Sequence, residues 1–157
     1  MGDAMPATSA PRAASGVPWA EVGAVAAGGA IGGAARAAVD LLLPHEPGAW
    51  AWSTLAVNWT GCLLMGVLMT VLALRRPRTR LLRPFAGPGL LGGFTTFSTH
   101  TADALAMVVA GAVPVALGYL AATLVGGLAA VWAGAAAAER LWSPGRPPAA
   151  DGAGGRA

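Results

Sequence analysis

The sequence has no lysine, one cysteine and one tyrosine, and only 11% of its 157 residues are Asp, Glu, Lys or Arg. Each shortage excludes something. Soluble domains carry about 25% charged residues, so a water-facing surface of ordinary composition is out of reach. A single cysteine rules out a disulfide framework and any multi-cysteine metal site. All ten basic residues are arginine, against seven acids, giving a net charge of +3 and a pI near 10.5. A nucleic-acid partner would want a basic face with aromatics between the charges. The low total charge and the mean hydropathy of +0.60 argue against that, and against disorder. Nothing suggests an enzyme. There is no phosphate loop or dinucleotide fingerprint, and the Gly-Gly pairs lie inside apolar stretches with no strand before them. His45 and His100 are isolated in the sequence, and Cys62 has no base at a recognisable spacing.

What the chain does have is apolar length. Four stretches, at about 19–43, 50–74, 85–110 and 113–138, each reach the roughly 20 residues that a membrane span needs. Trp19, Trp50, Trp52 and Trp142 fall at stretch ends, where indoles prefer the headgroup layer. The alternative, a soluble bundle rich in alanine, conflicts with the continuous apolar runs. The expected fold is an all-α membrane protein with four transmembrane helices over 19–142. Residues 1–18 and 143–157, rich in Ala, Pro and Gly, read as disordered tails, and the first of them lacks the apolar core of a signal peptide.

The arginines are unevenly placed. Nine lie in the first tail, the second connection and the last tail, all of which share one side of a four-span chain. The opposite connections, Pro44-His-Glu-Pro47 and Gly111-Ala-Val-Pro114, carry none. By the positive-inside rule both termini are expected in the cytoplasm of a cell-membrane protein.

Small and polar residues recur every four positions, and so share a helix face. They are Ala24, Gly28, Gly32, Arg36 and Asp40 in the first stretch and Thr54, Asn58, Cys62, Gly66 and Thr70 in the second. The fourth stretch has Tyr119, Thr123 and Gly127. Most of these small residues read as packing surface. Asn58 and Tyr119 need a partner or water, so each either lines a path or bonds a neighbouring helix. Arg36 and Asp40 are expected to pair at i and i+4. Asp103 has no basic residue near it in its own stretch and must face protein, water or another subunit. The third stretch is the anomaly: Gly92-Gly93 leads into Phe94-Thr-Thr-Phe-Ser-Thr-His-Thr101 at mid-membrane depth. Glycine weakens a helix there and hydroxyls compete for its backbone bonds, so a break at the centre is expected, with an ion site.

The run Gly92-Gly-Phe-Thr-Thr-Phe-Ser-Thr99 resembles the signature of the Fluc (CrcB) fluoride channels. So do Gly28-Gly-Ala-Ile-Gly-Gly-Ala-Ala-Arg36 and Ser53-Thr-Leu-Ala-Val-Asn-Trp-Thr-Gly61, in the same order. The resemblance covers everything but the tails. It implies an antiparallel dimer with two pores that exports fluoride passively. It also implies a structural, untransported sodium ion at the dimer centre, held by the backbone carbonyls of Gly92 and Thr95. By motif position the fluoride path takes Thr54, Asn58 and Phe97, with hydroxyls from Tyr119 and Thr123. His100 stands where the family has a second pore phenylalanine, Asp103 where Glu is more common, and Gly127 where a hydroxyl is common. One sequence that must insert both ways needs balanced arginines, so this subunit is expected to pair with a homologous one of opposite topology. Two other readings stand beside this: a non-conducting or half-active partner subunit, and a small four-span antiporter, which would need a carboxylate deep in the first span.

Overall fold

The computed structural model of the protein describes residues 17–75 and 80–142, so the expected tails lie outside it except for Val17 and Pro18. The described chain is all-helical, with no strand. Helix α1 spans Trp19–Leu42, starting directly after Pro18 and ending ahead of Pro44. Proline biases the residue before it away from helical backbone, which stops α1 at Leu43. Helix α2 spans Trp52–Arg75 and helix α6 spans Val113–Trp142. These three are long and apolar enough to cross a membrane.

The third apolar stretch is built from pieces. A short α3 (Leu82–Pro84) runs into a π-helix (Phe85–Leu91) and a short α4 (Gly92–Phe94). Thr95 and Thr96 are extended, and α5 (Phe97–Val109) then resumes. The expected break therefore falls just after the Gly-Gly pair. Thr96 starts the second half as its N-cap, its Oγ1 accepting from the Thr99 backbone N–H at 3.1 Å. At the other end of α5, Gly111 takes a left-handed φ of +79°. Ala112 N–H then bonds the Met107 carbonyl and Gly111 N–H the Val108 carbonyl, a glycine-based helix stop that satisfies two terminal acceptors.

The packing interleaves these elements. The backbone of α1 lies against the π-helix and α4. A Cβ on Gly28 would strike the Phe85 carbonyl and one on Gly32 the Leu90 carbonyl, so only glycine permits this approach. Contacts advance in step, from Val25 with Gly89 to Gly29 with Gly93, so the two run parallel. Helices α2 and α6 form the second seam. Gly66 rests on the Val131 carbonyl, Gly134 on the Leu63 carbonyl, and the Trp59 ring fills the space over Gly126. Trp59 also donates its indole N–H to the Ala122 carbonyl at 3.2 Å. The order of these contacts makes α2 and α6 parallel too, while α5 runs against both: His100 meets Thr123 and Asp103 meets Tyr119. Arg75, Arg83 and Arg140 consequently share one end of the molecule, with the Pro44–Pro47 connector at the other.

Candidate ion-path site

The break at Thr95–Thr96 is fixed from α2. Asn58 donates its amide N–H to the Thr96 carbonyl at 3.0 Å and accepts the Thr96 backbone N–H on its own oxygen at 2.9 Å. In a continuous helix that N–H would bond the Gly92 carbonyl, four residues back. Asn58 thus holds the interruption open and leaves the Gly92 carbonyl without its helical donor. An asparagine amide carries two N–H bonds, and Thr96 takes only one. Asn58 both bonds a neighbouring helix and lines a groove.

That groove, of about 390 Å³, is floored by α2, the break and α6. Asn58, Cys62, Thr95, Phe97, His100 and Thr123 line it, beside Leu120, Leu124, Leu128 and Val131. Phe97 is 82% exposed and hangs over it, its ring 6.2 Å from that of His100. His100 is buried, with Nδ1 3.4 Å from the Thr123 hydroxyl, which itself donates to the Tyr119 carbonyl at 2.9 Å. Apolar walls carrying a few convergent polar groups suit a small, desolvated ligand.

Thr54 and Tyr119, expected with them on the fluoride path, do not line this groove. Both are fully buried and both donate to one oxygen of Asp103, Thr54 at 2.8 Å and Tyr119 at 3.2 Å. The other Asp103 oxygen meets His45 Nε2 at 3.3 Å. Ser53 Oγ lies 3.5 Å from His45 Nδ1. Trp50 closes the cluster edge-on to Tyr119, with centroids 5.7 Å apart and planes at 84°. The indole N–H of Trp50 is buried without a partner. The His100 ring lies tilted against that of Tyr119, with centroids 5.1 Å apart, so groove and cluster adjoin.

Two expectations need correction. Arg36 and Asp40 do not pair; among the described residues the one ion pair is His45–Asp103. Asp40 is exposed near the end of α1, and an Arg placed N-terminal to its acid is the poorer order at i and i+4. His45, isolated in the sequence, is the partner Asp103 called for. Topology held the signal, because the first connector and the C-terminal end of the third stretch fall on the same side. Ser53, Trp50 and the backbone of Thr96 were also missed, since none carries a charge that demands a partner.

Comparison with known proteins identifies the family. The profile described as "CrcB-like protein, Camphor Resistance (CrcB)" matches residues 23–135, most of the chain. "Fluoride-specific ion channel FluC 1" of Streptomyces coelicolor is 48% identical over 120 residues, covering 76% of this chain and 78% of that protein. "Fluoride-specific ion channel FluC 2" of Thermobifida fusca is 48% identical over 124 residues, or 78% and 91% of the two chains. A namesake from Nocardia farcinica is 46% identical over 122 residues, or 78% and 86%. These relatives are named as channels and not as enzymes. The chain is a membrane protein of the CrcB family.

Proposed function

We propose that the chain is a subunit of a fluoride-specific channel that lets fluoride leave the cell passively. The observation that carries this is the groove at the break, where Asn58, Phe97, His100 and Thr123 converge on one apolar-walled track. Asn58 has an N–H to spare, Phe97 can turn its electropositive ring edge to an anion, and His100 can donate from a ring nitrogen. Successive weak donors suit conduction, because an ion held too tightly does not move on. Thr54 and Tyr119 act one step away, by holding Asp103.

The sodium ion fits the break. Diverting the Thr96 N–H to Asn58 frees the Gly92 carbonyl, Gly92 is exposed, and the extended Thr95 turns out of the helix. Hard cations take oxygen ligands, and a second subunit would double the two oxygens one chain supplies. An antiparallel partner is the natural source. Nine arginines on one side commit this sequence to one orientation, with cytoplasmic termini, so the partner is a homologous subunit inserted the other way. The bilayer is the remaining partner.

Purified protein in liposomes, with a fluoride electrode outside, tests the function. Co-reconstitution with the reversed homologue should give fluoride efflux, whereas homodimers of this chain that conduct alone would refute the heterodimer. If the mixed dimer conducts but its current is untouched by Asn58→Ala in this chain, the chain is the non-conducting partner. His100 in the groove is what keeps that second reading in play. An antiporter gains nothing from the fold, because Glu21 and Asp40 are both exposed near the ends of α1.

A further inference from the structure

A carboxylate beside an anion path is an obstacle, and Asp103 accepts from Tyr119, whose ring lies 5.1 Å from that of groove-lining His100. The contacts run on from the groove: Thr123 to His100, the His100 ring against that of Tyr119, Tyr119 OH to Asp103, and Asp103 to His45. His45 comes from the proline-flanked connector between α1 and α2, far from Asp103 in sequence, and faces the open end of the molecule. We propose that His45 is a positioning residue for anion passage: its imidazolium, seated on Asp103, cancels the carboxylate at the connector end of the groove. The proposal rests on the channel reading above.

The titratable and charged groups around His45 are few. Helix α5 presents Asp103 and, one turn earlier, His100; α6 presents Tyr119; α2 presents only the neutral Ser53 and Thr54. Glu46 follows on the connector itself and Asp40 lies in the last turn of α1, both exposed. Histidine is the side chain that ordinarily changes charge between pH 5 and 8. With the His45 imidazole protonated the pair is neutral overall. With it deprotonated Asp103 stands as an uncompensated negative charge, and it repels an anion passing the connector end.

The test is fluoride efflux from liposomes at pH 6 and pH 8, corrected for protein-free vesicles, using the conducting assembly. Efflux should be several-fold faster at pH 6. His45→Gln should be slow at both pH values, Asp103→Asn fast at both, and the double variant should follow Asp103→Asn. His100→Phe changes the rate but keeps the ratio. A wild-type ratio of one, or a ratio that survives His45→Gln or vanishes in His100→Phe, overturns the proposal. Thermal unfolding of the wild type, His45→Gln, Asp103→Asn and their double variant supplies a readout that needs no current. His45→Gln should lower Tm more at pH 6 than at pH 8, and should do neither in the Asp103→Asn background. Additive Tm changes overturn the pair. Absence of flux at every pH together with a coupled Tm cycle overturns the channel reading and the role in passage, but shows the pair to be real.

Discussion

Asn58 does two jobs at one point, which makes it the most exposed single residue to substitution. Asn58→Ala removes both bonds to Thr96 and strands a backbone N–H in an apolar setting, at a cost of about 1–3 kcal/mol. It also takes away the spare donor. Fluoride efflux through this chain's groove should fall at least tenfold, and a Tm measured alongside should drop; an unchanged rate would make this chain the non-conducting partner. Thr96→Ala is the milder companion, because it removes the cap on α5, worth about 1 kcal/mol, while leaving Asn58 its backbone partner. Its Tm loss should exceed its loss of flux. At this scale the sequence is readable in part. Asn58 and Thr123 reveal themselves as polar residues at helical spacing in hydrocarbon, and His100 by its place in the motif of the third stretch. Thr54 and Tyr119 show the same spacing yet turn inward, because Asp103 outbids a path for their hydroxyls. His45 and Asp103, 58 positions apart, meet only through the fold.

At the scale of elements, glycine decides who packs against whom. Gly66→Ala and Gly134→Ala would drive a Cβ into the carbonyls of Val131 and Leu63, pushing α2 and α6 apart. Overpacking of this kind costs about 1–3 kcal/mol. Gly33 has open space around its Cβ position, so Gly33→Ala should leave Tm and flux nearly unchanged while Gly32→Ala, one residue away, destabilises. Thermal unfolding of the four variants in detergent separates seam from surface. The three long helices and the break were legible from apolar length and from Gly92-Gly93 before a run of hydroxyls. The π-helix at Phe85–Leu91 was not, because an i→i+5 ladder leaves no compositional mark. Nor was the choice of neighbours: stripes every four residues show that a face packs, not which helix it meets.

Taken whole, the molecule has an asymmetry of charge laid over an ordered set of helix directions. Arg75, Arg83 and Arg140 gather at one end, and reporter fusions should find both termini cytoplasmic and an epitope at Glu46 outside. Finding Glu46 inside would refute the orientation and, with it, the argument for a reversed partner. The pairing pattern has a separate outcome during synthesis. The first helix finds its glycine seam on the third stretch and the second on the fourth, so each glycine seam skips one stretch of the chain. No hairpin leaving the ribosome is complete by itself. Until Val113–Trp142 has been made and threaded into the bilayer, the glycine notches of α2 face lipid. A chain cut short at Gly111 thus keeps the seam of α1 but leaves that of α2 vacant.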